Sequence, residues 1–167
     1  MSPLIKLSGL AAMLAITGTA QAAAGWQFQP AQGDRGTVLT FEADGPVTYR
    51  FQCAGDSVMV TETGVTALMD LQSGQPVDSS QAALPAGAAV MALFDGRGDP
   101  QFVPADAVKN PAGGWDLTIR LRKDDKLLKA IGKSETISLF TTGYTMAVPL
   151  NNSSRILWRQ FLASCKP

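Results

Sequence analysis

The sequence predicts an α+β fold: a mainly antiparallel β-sheet or small sandwich with one short helix, a C-terminal helix and one disulfide. Three observations predict it. Runs of period-two alternation, each bounded by glycine-rich turns, recur along the chain as half-buried antiparallel strands require. Two stretches near the end change to helical spacing. Two cysteines occur in all, Cys53 on an apolar strand face and Cys165 on an apolar helix face.

At the N-terminus Lys6 precedes the apolar run Leu7 to Ala20, and Ala20-Gln21-Ala22 supplies the small residues of a signal-peptidase site. This is the pattern of a secretory signal peptide over residues 1–22, with cleavage after Ala22 or after Ala24. The other reading, a buried N-terminal helix, lacks an amphipathic period. Removal of the leader leaves a single β-rich domain, residues 23–167, of a size that can bury its own core. No later stretch approaches the ~20 apolar residues that span a bilayer as a helix, so no transmembrane segment is expected in the mature chain.

In the front half, Trp26, Phe28 and Pro30 alternate, Gln32 to Gly36 turn the chain, and Thr37, Leu39 and Phe41 alternate again, which makes a hairpin. After Asp44-Gly45-Pro46, Val47, Tyr49, Phe51 and Cys53 share one face, so Cys53 points inward. Ser57 to Thr63 and, beyond Gly64, Val65 to Leu71 read as two further strands of a meander. A polar and Ala-rich loop follows to Gly87, then Ala88 to Phe94 as a central strand without alternation. The stretch Asp95 to Gly114 reads as a loop. It contains Arg97-Gly98-Asp99, an integrin-type triplet whose simpler reading is a tight turn, and Asp95 and Asp99, which could contribute to a calcium site without the ligand spacing of an EF-hand.

The back half is the more sharply patterned. Trp115, Leu117, Ile119 and Leu121 alternate with polar residues. Asp124 and Asp125 stand at the start of a two-turn helix whose Leu127, Leu128 and Ile131 share a face and which Gly132 ends. Ile137 to Leu139 and Tyr144 to Leu150 flank Gly143 as a hairpin. Asn151 to Ser154 offer N-caps for a last helix in which Leu157, Phe161 and Cys165 recur at i, i+4 and i+8 beside Trp158 and Leu162.

Two inward-facing thiols in an exported chain are expected to pair, Cys53 with Cys165; the alternative is two buried free thiols. Such a bridge closes a loop of more than a hundred residues, a contribution of about 4–5 kcal/mol in the chain-entropy model. With no histidine, two cysteines do not make a usual zinc set, and no metal or cofactor is expected.

Charge is balanced overall, 14 basic residues against 14 acidic, but not along the chain. Ala23 to Ala112 carry four basic residues against ten acidic ones; Gly113 onward carries nine against four. The two halves can attract each other within one fold. The functional reading is that Arg120, Arg122, Lys123, Lys126, Lys129 and Lys133 form a surface for an anionic envelope component or an acidic protein. Nucleic acid is a poor candidate, because no nucleic-acid-binding motif accompanies the cations and the pI of 6.2 is not basic.

The absence of histidine removes Ser-His-Asp and Cys-His catalysis and the commonest general base near neutral pH. Asp124 and Asp125 are explained as helix starters, and no Walker loop, Gly-x-Gly-x-x-Gly or Ser-x-x-Lys spacing occurs. No catalytic residues are assigned, and a binding protein is favoured over an enzyme.

Asp125-Lys126-Leu127-Leu128-Lys129-Ala130-Ile131-Gly132-Lys133, Ile137 to Phe140, and Val148-Pro149-Leu150-Asn151 leading into Ser154 to Leu162 resemble small alphaproteobacterial envelope proteins of the invasion-associated locus B type. The resemblance covers about a third of the chain. Asn151-Asn152 stand where that pattern has a glycine, and a further cysteine pair is missing. The resemblance implies an exported β-rich envelope protein and carries over no functional residue. The expected function is therefore a non-catalytic periplasmic or secreted accessory protein that binds another envelope component; the alternative is a secreted inhibitor or immunity protein that inserts a loop such as Asp95 to Gly114 into a partner enzyme.

Overall fold

The computed structural model describes residues 25–33, 36–43, 48–71, 73–77, 80–141 and 143–165. The expected leader, residues 1–22, lies outside the described residues, as do 34–35 and 44–47, where parts of two expected turns fall. The elements are β1 (Gly25–Gln29), β2 (Val38–Glu42), β3 (Thr48–Ala54), β4 (Ser57–Val65), β5 (Ala89–Phe94), β6 (Val103–Lys109), β7 (Trp115–Arg122), α1 (Lys126–Ile131), β8 (Thr136–Thr141), β9 (Tyr144–Pro149) and α2 (Asn152–Ser164). The strands form one sheet in the order β1-β2-β3-β4-β7-β6-β5-β8-β9, and every neighbouring pair is antiparallel.

A single sheet takes the place of a two-sheet sandwich because β6 divides its pairing. Residues Val103 to Ala105 pair with β5, whereas Asp106 to Lys109 pair with β7. The sheet turns there and curls into a half-barrel. Across its opening Trp26 Nε1 on β1 donates to the Pro149 carbonyl on β9 at 3.3 Å, and Tyr49 Oη on β3 lies 3.5 Å from the Met146 carbonyl.

Strand β6 corrects the expected Asp95–Gly114 loop. Its inward residues are Ala105 and Ala107, both buried, and its outward ones include Pro104 and Asp106. Alanine, proline and aspartate are poor strand formers in isolation, so burial against β5 and β7 decides the conformation. A second correction concerns Gly64. It lies inside β4 rather than before a new strand, at φ +74°, where the register between β4 and β7 slips between Glu62 and Val65. Glycine adopts that backbone without strain, and the Asp116 carboxylate accepts its N–H at 3.1 Å, as expected of a β-bulge. Beyond Val65 the chain leaves the sheet: Leu68 to Asp70 fold back on Gln75 to Val77 through a single Met69–Pro76 bridge.

The inward faces line up in cross-strand rows. One row runs Phe28, Leu39, Phe51, Val60, Ile119; the next runs Trp26, Phe41, Tyr49, Glu62, Leu117, Ala107. Helix α2 closes over β1 and β2. Its Trp158, fully buried, meets Phe51 edge-on at 4.8 Å between ring centroids and Trp26 at 6.5 Å. The indole N–H, which needs a partner when buried, donates to the Leu128 carbonyl at 2.8 Å and so ties α2 to α1. The Cys53–Cys165 disulfide fastens the far end of α2 to β3, with 5.3 Å between the Cα atoms of partners 112 positions apart in the chain. Asp125 caps α1 through the Leu127 N–H at 2.8 Å, and Asn151 caps α2 through the Ser154 N–H at 2.9 Å.

Candidate functional site

The six cations singled out from the sequence divide into two groups. Arg120, Arg122 and Lys123 sit at the end of β7, where Arg122 forms a two-bond pair with Asp124, Nε to Oδ1 at 3.0 Å and Nη2 to Oδ2 at 3.2 Å. Asp124 accordingly holds its carboxyl below the usual carboxylate range, with the hydrogen bond from Arg122 as the main cause. The Lys123 N–H donates to the Asp56 carbonyl, and Lys123 is half-buried. The Asp124 carboxylate therefore offsets part of the charge of this group.

Lys126, Lys129 and Lys133 are exposed on and just after α1. Lys126 to Lys129 is an i, i+3 step within α1, so these two share a side of the helix, whereas Lys133 lies beyond its end. Gly132 caps α1 where the α2 surface comes close: a Cβ there would lie 3.2 Å from Trp158 Cδ1 and 3.6 Å from Arg159 Cγ. Gly132 has a right-handed φ of −61°, so close approach rather than a left-handed turn is what selects glycine.

That approach creates the cleft of interest. Lys133 from the end of α1 and Asn152, Arg155, Ile156 and Arg159 from α2 line a depression of about 400 Å³ floored by Gly132. Arg155 Nη2 donates to Asn152 Oδ1 at 2.6 Å, and Arg159 Nε donates to the Arg155 carbonyl at 3.3 Å. Each guanidinium is thus held by one bond and keeps further donors for a ligand. No carboxylate lines the cleft among the described residues. Arg155 and Arg159 were not among the sequence candidates. Their signal was the i, i+4 spacing of two arginines in a helix that contains no acidic residue.

A second cavity, about 280 Å³, lies under the 95–101 segment, with Leu93, Ile119 and Leu127 among its apolar walls and Asp95, Arg97, Asp99 and Asp125 among its polar ones. Asp95 accepts the Arg97 N–H at 3.1 Å, and Gly96 and Gly98 take positive φ, so Arg97-Gly98-Asp99 is held in a tight turn. Among the described residues no group of three Asp, Glu or Cys side chains is placed to hold a metal ion, Asp95 and Asp99 included.

The third feature is Glu62, which sequence reading passed over although it falls in phase with Val58 and Val60 on the inward face of β4. It is fully buried. Oε1 accepts from Tyr49 Oη at 3.3 Å, and Oε2 has no hydrogen-bond partner among the described residues. Burial raises its pKa to about 7, against a smaller lowering by the Tyr49 bond. A carboxyl titrating there could serve as a general acid or base, but the apolar row of Phe41, Leu117 and Ala107 encloses it.

No protein-family model matches this sequence, and neither a curated protein nor a solved structure matches it.

Proposed function

We propose that the chain is an exported, non-catalytic accessory protein, periplasmic or secreted, that binds an anionic envelope component through the face shared by α1 and α2. The observation that carries the reading is the convergence of Lys133, Arg155 and Arg159 in a cleft lined by no carboxylate among the described residues. Like charges four residues apart on a helix repel slightly, and a bound anion would relieve that repulsion between Arg155 and Arg159. The leader-like segment, the disulfide and the resemblance of the C-terminal third to invasion-associated locus B proteins support export.

The test has two parts. Export is checked by expression of the full chain in a bacterial host, fractionation and N-terminal sequencing; recovery from the periplasm with Ala23 or Gly25 first supports it, and an uncleaved cytoplasmic product removes it. Binding is checked by retention of envelope components on the immobilised oxidised chain in low and high salt. Anionic material released by salt is the expected outcome; retention of one protein in high salt favours the inhibitor reading instead. That second reading has one observation in its favour, the exposed Phe102 beside the 95–101 turn, although β6 leaves only Asp95 to Phe102 to project from the sheet.

A further inference from the structure

The α1–α2 cleft differs from an ordinary cationic surface in one respect: Ile156, more than half exposed, stands between Arg155 and Arg159 on the same helix and lines the same cleft. A free anion in water has no use for an exposed isoleucine. A phospholipid does, because its phosphate lies at the depth of the cationic groups and its glycerol and upper acyl region at the depth of the apolar one. We propose, on the basis of the anionic-component reading above, that this cleft seats the phosphate of an anionic phospholipid at a bilayer surface, with Ile156 entering the headgroup boundary.

The geometry suits that occupant in three ways. Arg155 and Arg159 approach from α2 and Lys133 from the end of α1, so a phosphate in the cleft meets donors from two directions. The bond from Arg155 to Asn152 holds one guanidinium in place before any ligand arrives, which lowers the ordering cost of binding. Lys126 and Lys129, exposed on α1 just before Lys133, add long-range attraction to an anionic leaflet without lining the cleft. With one exposed apolar residue in this cleft, the contact is peripheral and reversible, and it requires the charge.

The experiment is sedimentation of the oxidised chain, as secreted by an expression host, with vesicles of phosphatidylglycerol and phosphatidylcholine in equal parts and with phosphatidylcholine alone. Binding to the anionic vesicles only is expected. The double variant Arg155→Gln, Arg159→Gln should weaken it by about 25-fold, about fivefold per charge lost at the surface. Lys126→Gln with Lys129→Gln should weaken it less, because these groups lie outside the cleft. Ile156→Ser, which leaves the charge unchanged, should weaken it severalfold. All three leave the thermal midpoint close to wild type, which keeps loss of folding apart from loss of binding. Equal effects from the two double variants, or no effect of Ile156→Ser, would overturn the cleft as a lipid seat while the broader anionic reading stands. Saturable binding of inorganic phosphate at millimolar concentration, lost in the Arg155→Gln, Arg159→Gln variant, without vesicle binding by the wild type would also overturn it, in favour of a soluble phosphate ligand. A wild-type chain that binds neither vesicles nor any anionic envelope material would remove both readings together.

Discussion

Glu62 and the α1–α2 face both break the usual distribution of charge, in opposite ways. Glu62 is one carboxyl buried in an apolar row with a single hydrogen bond among the described residues; the helical face gathers Lys133, Arg155 and Arg159 in a solvent-open cleft that no carboxylate lines among the described residues. Inside, the cost is desolvation, and protonation relieves it. Outside, solvent and salt screen the repulsion, so the cost is small and the groups stay charged. A buried lone charge therefore marks a pH-dependent strain on stability, and an exposed unbalanced cluster marks affinity for something else.

The two regions share a support, and the largest expected effect comes from its removal. Trp158 packs on Phe51 and Trp26 inside the half-barrel and bonds to Leu128 of α1. Trp158→Ala should cost about 4 kcal/mol in urea unfolding and should abolish anionic binding as well, since it leaves a cavity and a loose α2. Stability lost with binding intact would separate the cleft from the core.

Glu62→Gln isolates the cost of the buried carboxyl. A carboxyl raised from 4.5 to about 7 in the folded state keeps its proton on folding, whereas the unfolded chain loses it between those values. The unfolded state binds fewer protons there, so this group lowers stability as pH rises from about 4.5 to 7, and the penalty is constant above. The variant lacks that dependence. The stability difference between Glu62→Gln and wild type should move in the variant's favour by about 3 kcal/mol between pH 4.5 and 8, with salt-independent size. A flat difference would mean that the carboxylate finds a partner when charged. The Tyr49 hydroxyl carries one proton and lies within reach of both Glu62 Oε1 and the Met146 carbonyl, so its bond to Glu62 offsets only part of the cost of burial.

Smaller effects belong to the periphery. Asn151→Ala removes the cap on the Ser154 N–H and should cost about 1 kcal/mol in equilibrium unfolding, with binding altered only through fraying at Asn152 and Arg155. Arg122→Gln breaks the exposed pair with Asp124 and should leave the unfolding midpoint unchanged. Its effect on anionic binding should also be the smallest of the charge variants, because Asp124 already balances it.

Much of the back half was legible because its signals are local. Alternation from Trp115 to Leu121, a carboxylate at Asp125 before an apolar face, and the amide of Asn151 before α2 are settled within a few residues of chain. Strand β6 was not, since Ala105 and Ala107 become strand residues only by filling the space between β5 and β7. Gly64 misled the reading for a related reason: a glycine marks a turn or a bulge equally well, and Asp116, fifty-two residues later, decides between them.

By itself the sequence determined the alternating segments, the two helices and their caps, the inward direction of Cys53 and Cys165, and the excess of cations after Gly113, because each follows from a period or a count along the chain. The tertiary structure decided that the strands form one sheet bent at β6, that Glu62 loses its water, and that Lys133 meets Arg155 and Arg159. Those three depend on what the curl of the sheet brings together from residues far apart in sequence, and desolvation and charge convergence are properties of that enclosure, with no period along the chain to announce them.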